Sequence, residues 1–222
     1  MVIVFDLDDT LYREMDFVLG GLRAVASHLE EILHTEQIKI YHELLEILQE
    51  FGRGEIFDLF LKRKNFYSKR RVRECISIYR YHKPIIKIYK ESKIFLDRYK
   101  NYPLYIVTDG NKKVQAHKIK NLNLDPYFKK ILITHRYGIK KSKPSLYCFN
   151  LIKKIENCNW EKIVYIGDNP AKDFVSLKRV NAKTVRLLKG NYAKDYVKDE
   201  FEADERINSL NELPKILKKF FK

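Results

Sequence analysis

Met1-Val2-Ile3-Val4-Phe5-Asp6-Leu7-Asp8-Asp9-Thr10 opens the chain. The first five residues are apolar and rich in β-branched side chains, and the run stops at an aspartate. Such a run reads as a strand buried on both faces, as in a parallel sheet. Similar runs recur at residues 103–107, before Thr108-Asp109-Gly110, at 131–134, at 162–166, before Gly167-Asp168-Asn169, and at 183–187. Helical periodicity fills most of the gaps, over residues 112–122, 145–155 and 170–180. This alternation predicts an α/β fold: a doubly wound, Rossmann-like parallel sheet with helices on both faces. Leu210, Leu213, Ile216, Leu217 and Phe220 add a C-terminal amphipathic helix expected to dock back on that core.

The interval after the first strand breaks the rhythm. Residues 16–98 are helical in pattern throughout, far longer than an ordinary crossover. Leu22, Val25, Leu29, Ile32 and Leu33 mark one amphipathic helix, and Ile40, Leu44, Leu45, Ile47 and Leu48 another. Phe51-Gly52-Arg53-Gly54 interrupts them, and Ile56, Phe57, Leu59 and Phe60 resume. The organisation expected is a core of residues 1–15 and 99–222 with an all-helical domain, 16–98, inserted into it.

At 222 residues, with 45% hydrophobic and 33% charged side chains, the chain has the make-up of a soluble globular protein. Only 8 Gly and 6 Pro argue against long disordered linkers. The three cysteines stand far apart, form no CxxC pair and fit no closed disulfide framework, so reduced thiols in a cytoplasmic protein are expected. The chain opens directly on a β pattern, so no signal peptide is expected. No apolar run approaches the ~20 residues that cross a bilayer, so no membrane partner is expected. The net charge is +15, spread along the chain and densest from Lys62-Arg63-Lys64 to Lys69-Arg70-Arg71-Val72-Arg73. Basic residues interleaved with Phe66 and Tyr67 suit either a nucleic-acid strand or the wet face of a helix, and the second is the commoner meaning. The six histidines show no metal-ligand spacing.

In open α/β sheets, ligands bind beyond the carboxyl ends of the strands. Those ends here carry Asp6 and Asp8, Thr108-Asp109-Gly110, and Asp168 with Asp173 soon after, while Lys143 lies in the loop after the third strand. Converging carboxylates raise one another's pKa unless a cation sits among them. A hard cation with oxygen ligands answers that need, and Mg²⁺ is the usual one beside phosphate. Asp6 and Asp8, two apart at a strand end, face one side while Leu7 enters the core. One carboxylate can then act as nucleophile and the other as acid and base. Lys143, the Thr108 hydroxyl and the amides of Asp109 and Gly110 are candidate phosphoryl-binding groups.

These segments, in this order, resemble the haloacid dehalogenase-like (HAD) hydrolase superfamily. Asp6-Leu7-Asp8-Asp9-Thr10 matches its first motif, DxDxT. Thr108 matches the second, Lys143 the third, and Gly167-Asp168-Asn169 with Asp173 the fourth. The helical insertion is similar to the family's cap between its first two motifs. The resemblance implies that Asp6 is the nucleophile, forming an aspartyl-phosphate, and that Asp8 protonates the leaving oxygen and later activates water. It implies that Mg²⁺ is held by Asp6, the backbone carbonyl of Asp8 and Asp168, with Asp173 ordering the metal's surroundings through water. Thr108 and Lys143 would bind the transferring group. Family dehalogenases lack an acid/base carboxylate at the position of Asp8, so Asp8 points to phosphoryl transfer.

The activity expected is therefore a Mg²⁺-dependent phosphatase acting on a small phosphorylated metabolite, either a phosphosugar or a nucleoside monophosphate. A phosphomutase of the same fold and a phosphatase for nucleic-acid ends are the alternatives. Asp9 and Thr10 read as turn residues. Arg53, flanked by Gly52 and Gly54, is either a solvent-facing charge or the cap's grip on an anionic substrate. Oligomeric state is not set by any of these features.

Overall fold

The computed structural model describes residues 1–221. β1 (Val2–Phe5) is buried along its whole length. It is followed in chain order by β2 (Leu104–Thr108), β3 (Lys130–Ile133), β4 (Ile163–Gly167), β5 (Lys183–Leu187) and β6 (Glu205–Ile207). The six strands form one sheet in the order β3-β2-β1-β4-β5-β6, and every pairing is parallel. β1 lies between β2 and β4, with Val4 opposite both Tyr105 and Tyr165. Strand order therefore reverses direction at β1, and a crevice opens beyond its carboxyl end.

The period-2 alternation of β1 places Val2 and Val4 on one face. There they join Tyr105, Val107, Tyr165, Phe149, Ile152, Phe174 and Leu177 in a buried cluster. Phe5 points to the other face, edge-on to Phe95 at 5.6 Å and to Phe128 at 6.3 Å. Both faces are covered, which is why the strands read as unbroken apolar runs.

Contacts divide the chain into two units. One is Met1–Glu14 with the chain from Ile86 onward, and the other is Met15–Ile85. α1 (Glu14–Leu33), α2 (Gln37–Phe51), α3 (Ile56–Arg63) and α4 (Lys69–Tyr81) make up the helical unit. Its core joins Val18, Leu22, Val25 and Leu29 of α1 to Ile40, Leu44 and Ile47 of α2, with Phe60 and Leu61 of α3 and Val72 and Cys75 of α4. The basic stretch is spread over α3 and α4. Lys64 pairs with Glu43 at 2.5 Å, Arg63 with Glu50 at 3.6 Å, and the Arg71 guanidinium stacks 3.3 Å over Phe66.

Gly21 of α1 faces Tyr79 so closely that a Cβ there would lie 2.5 Å from the ring. Gly21→Ala is expected to lower stability by about 1–3 kcal/mol, since forced overpacking outweighs the better helix propensity of alanine. Urea unfolding checks this, and an unchanged midpoint would show that the ring gives way freely.

α5 (Lys90–Tyr99) belongs to the sheet-bearing unit and buries Phe95 and Leu96. The boundary at Ile85–Ile86 thus falls one helix before the expected residue 98, because α5 has the same 3.6-residue periodicity as the helices ahead of it. α6 (Lys112–Asn121), α7 (Tyr147–Glu156), α8 (Val175–Arg179) and α9 (Leu213–Phe220) complete the elements that flank the sheet. α8 is shorter than the helix expected over 170–180. Asn169 Oδ1 accepts from Ala171 N–H at 3.0 Å, and Asp173 N–H donates to the Asn169 carbonyl at 3.0 Å, so a turn replaces the first helical residues. Leu213 and Leu217 of α9 are buried, as the C-terminal pattern required. Among the described residues, no helix is long and apolar enough to cross a membrane.

Candidate active site

Asp6 follows β1 directly, and its N–H still joins the sheet, donating to the Ile166 carbonyl at 2.8 Å. Leu7 is fully buried, and Asp8 then returns to the same side as Asp6. The turn closes at Asp9 with φ of 51°, a left-handed conformation that aspartate tolerates. Asp9 Oδ1 accepts from Glu14 N–H at 2.9 Å, satisfying one of the free amides at the start of α1.

Next to β1 stands the end of β4. A Cβ on Gly167 would sit 2.4 Å from Asp173 Oδ2, so only glycine lets the strand end pass this carboxylate. Asp6, Asp168 and Asp173 are buried, and one oxygen from each lies within 4.8 Å of the others. Asp173 is also bound by the protein, Oδ2 accepting from Asn169 N–H at 3.0 Å and Oδ1 from Tyr165 OH at 3.3 Å.

Lys143 enters this acidic group from the loop after β3. Its Nζ lies 3.0 Å from Asp6 Oδ1, 2.7 Å from Asp173 Oδ1 and 2.7 Å from Tyr165 OH. The side chain is 1% exposed. Burial alone would strip its proton, but Asp173, Asp6 and Asp109 outweigh that and hold its pKa above the ordinary lysine value. The loop carrying Lys143 is tied down by Asp109. Asp109 Oδ1 accepts from Lys143 N–H at 3.1 Å and from Thr134 Oγ1 at 2.7 Å, while Oδ2 pairs with Lys172 at 3.3 Å. The Asp109 side chain thus braces the lysine loop, beyond the backbone amide foreseen for it.

Two carboxyls here are shifted upward. Burial, opposed by Lys143 and reinforced by Asp173, pushes Asp6 up to about 6. Burial, with Asp6 and Asp173 close by, pushes Asp168 up to about 9. Asp6 Oδ1 receives no aligned hydrogen bond although it is buried and 3.0 Å from Lys143. An oxygen-only donor set that is under-bonded and self-repelling fits a hard divalent cation such as Mg²⁺.

Asp8 is held separately. Tyr12 OH donates to its Oδ1 at 2.5 Å, Lys118 Nζ to Oδ1 at 2.7 Å and Gln115 Nε2 to Oδ2 at 2.8 Å. Burial would raise this carboxyl, but Lys118, Tyr12 and Gln115 together overcome it and hold it below the ordinary carboxylate range. Gln115 Nε2 also lies 2.7 Å from Thr108 Oγ1, so Asp8 and Thr108 share one amide. Gly110, with φ of 132°, leaves room for that glutamine, whose side chain a Cβ would crowd at 3.2 Å. The structure thus gathers Asp6, Asp168, Asp173 and Lys143 in one cluster and links Asp8 to Thr108 in another. Arg53 lies in the helical unit, exposed in the bend between α2 and α3.

Tyr12, Gln115 and Lys118 were absent from the sequence-derived site. One signal was available: Lys118 stands four residues from both Val114 and Leu122, inside the apolar stripe of α6. A lysine there is buried and needs a partner.

The sequence profile of haloacid dehalogenase-like hydrolases matches residues 3–187. The glyceraldehyde 3-phosphate phosphatase of Methanocaldococcus jannaschii is 32% identical over 97% of this chain and 96% of its own length. The protein of the same name from Pyrococcus furiosus is 30% identical over 98% and 93%. Among solved structures, a HAD phosphatase from Thermococcus onnurineus is similar, with a TM-score of 0.62 at 25% identity over 97% of both chains. A 2-haloacid dehalogenase from Pseudomonas syringae shares the fold, with a TM-score of 0.68 at 20% identity over 99% of this chain and 100% of its own. One fold therefore serves two chemistries. With its profile match running from β1 through β5 and full-length relatives at this identity, the chain belongs to the haloacid dehalogenase-like hydrolase family.

Proposed function

We propose that the protein is a Mg²⁺-dependent phosphatase that acts on a small phosphorylated metabolite through an aspartyl-phosphate at Asp6. The observation that carries this reading is the pairing of a buried Asp6, 3.0 Å from Lys143, with a second carboxylate two residues on, held beside Thr108 by Gln115. In the first step an Asp6 oxygen bonds to phosphorus as the bond to the leaving oxygen breaks, and Asp8 supplies that oxygen with a proton. In the second, Asp8 takes a proton from water as its oxygen bonds to phosphorus and Asp6 is released. Asp8 is held below the ordinary carboxylate range, so the proton it passes to the leaving oxygen arrives with the monoprotonated phosphate ester, and the proton it takes from water leaves with the released phosphate. Lys143 offsets the charge of Asp6 against that of the phosphoryl group, and Thr108 with the Asp109 and Gly110 amides receives its oxygens. Mg²⁺ would be held by Asp6 and Asp168 with the Asp8 carbonyl, Asp173 ordering its surroundings, and would neutralise the gathered carboxylates and phosphoryl oxygens.

Full-length similarity to two archaeal glyceraldehyde 3-phosphate phosphatases makes a three-carbon phosphorylated aldehyde the first substrate to try. The test is phosphate release from glyceraldehyde 3-phosphate, a hexose phosphate, a nucleoside monophosphate, a 5′-phosphorylated oligonucleotide and 4-nitrophenyl phosphate, with Mg²⁺ or with EDTA. Mg²⁺-dependent release, greatest on the triose phosphate, is the expected result. Conversion to an isomeric phosphate without free phosphate would identify a mutase instead. The absence of any turnover would overturn the proposal.

A further inference from the structure

Lys118 is a buried lysine that takes no part in the steps above. Its side chain is 5% exposed, with Nζ 2.7 Å from Asp8 Oδ1 and 3.8 Å from Glu14 Oε1. Burying an ammonium costs several kcal/mol, and an apolar side chain of similar volume would pack the α6 stripe without that cost. Packing alone therefore gives no reason for a lysine here. The reason lies in what it grips.

The Asp8 side chain is 20% exposed, against 6% for Asp6 and 0% for Asp173. Left alone, it would rotate between solvent and the reacting centre. Instead both of its oxygens are taken, Oδ1 by Tyr12 and Lys118 and Oδ2 by Gln115, which fixes the plane of the carboxyl group. Gln115 and Lys118 lie three apart on one face of α6. Asn111 caps this helix, accepting from Lys113 N–H at 3.0 Å and Val114 N–H at 3.3 Å. Residues 109–111 join it directly to β2, so only these three residues separate the helix from Thr108.

The Gln115 amide does two things with one nitrogen. An ionised carboxylate only accepts, so Nε2 and not Oε1 must face Asp8. The second amide proton then goes to Thr108 Oγ1, 2.7 Å away. With an oxygen lone pair filled by that proton, the threonine hydroxyl is left to donate its own, toward an incoming phosphoryl oxygen.

We propose that Lys118 and Gln115 are positioning residues for phosphoryl transfer: Lys118 fixes the Asp8 carboxyl for proton delivery to the leaving oxygen, and Gln115 couples that carboxyl to the direction of the Thr108 hydroxyl. The proposal rests on the phosphatase reading and goes beyond it in naming what aims the acid. The proton that moves passes between Asp8 and the substrate, the leaving oxygen or water.

The experiment compares leaving groups. A sugar phosphate leaves as a poor alkoxide and needs the proton, whereas 4-nitrophenyl phosphate leaves as a stable phenolate and does not. Lys118→Met is expected to lower kcat/KM by about 10²-fold or more on the best alkyl phosphate, the scale of a misplaced general acid. The fall on the aryl phosphate is expected to be several-fold at most. Lys118→Arg, which keeps the charge, is expected to recover much of the alkyl activity. In an Asp8→Asn background, Lys118→Met is expected to add no further loss on the alkyl substrate, as for residues acting through one group. Equal losses on both substrates, or full additivity with Asp8→Asn, would overturn the positioning role. If Lys118→Met does not fold, Gln115→Leu, which leaves no unpaired ammonium behind, is expected to lose clearly more on the alkyl than on the aryl phosphate, the loss common to both reporting the Thr108 hydroxyl; no difference between the two substrates would overturn the proposal. Turnover that survives Asp6→Asn would instead sink the phosphatase reading, so the two failures are separable.

Discussion

Asp6→Asn is expected to lower kcat by roughly 10⁵-fold or more, the scale on which enzymes fail when the nucleophile is removed. Asparagine keeps the shape of the side chain and can still present an oxygen to Lys143, 3.0 Å away in the wild type. It lacks the anionic oxygen that must bond to phosphorus. Buried beside β1 with its N–H in the sheet, residue 6 has no freedom to let another group take its place. Phosphate release at saturating substrate reads the effect directly. Acid-quenched wild-type turnover should also yield a phosphorylated peptide containing Asp6, and the variant none. Undiminished turnover in the variant would remove Asp6 from the chemistry and shift the search to another nucleophile.

Lys143→Met is expected to cost about 3–5 kcal/mol of stability in metal-free protein, as when one partner of a buried ion pair is removed. The ammonium sits between Asp6 and Asp173 with 1% of its side chain exposed, so no water replaces it. The loss should depend on pH, and the sign follows from the carboxyls left behind. Asp6 is raised from 3.8 to about 6 and Asp168 from 3.8 to about 9. A carboxyl raised in the folded state binds its proton more tightly there than when unfolded. Its contribution to stability is therefore complete below pH ~4 and is lost as pH rises through the folded value. Metal-free wild type should accordingly weaken between about pH 4 and pH 9. Lys143→Met should weaken more steeply, since Asp6 then ionises without Lys143 against it and with Lys172 as the remaining cation near it. Mg²⁺ favours the ionised carboxylates and should stabilise both proteins more at pH 8.5 than at pH 5.5. Urea unfolding at these two pH values, with Mg²⁺ or EDTA, tests all of this. A loss independent of pH, or a Mg²⁺ effect larger in acid, would contradict the account.

Strands β1 to β5 were legible because each is buried on both faces and leaves an apolar run in the sequence. β6 was not. Glu205-Arg206-Ile207 is a three-residue edge strand with only Ile207 buried, too short and too charged to show a period. α5 was legible as a helix and illegible as to unit, since periodicity records that a face is buried but not against what. Among site residues, Asp6, Asp168 and Asp173 announce themselves by ending or following apolar strands. Asp109, by contrast, looked like a source of backbone N–H, and only the fold shows its carboxylate pinning the Lys143 loop. Lys118 is 110 positions from Asp8, and no spacing rule joins residues that far apart. What the sequence did carry was a lysine in an apolar stripe, a local inconsistency of the kind that marks functional sites.

The insertion of a contiguous helical unit into a discontinuous core sets an order of events on the ribosome. Met15–Ile85 encloses its own apolar cluster and has every residue it needs once Ile85 has emerged. β1 does not: Val2 pairs with Ile163, so the first strand made must wait for one of the later ones. At ~5–20 residues per second, that wait beyond Ile85 lasts roughly 4–16 s. For this interval Val2-Ile3-Val4-Phe5, as apolar as any stretch of the chain, is tethered to a finished helical bundle and has no complete sheet to enter. Slow codons placed after residue 85 would lengthen that exposure, and a chaperone that holds extended apolar segments would find its opening there.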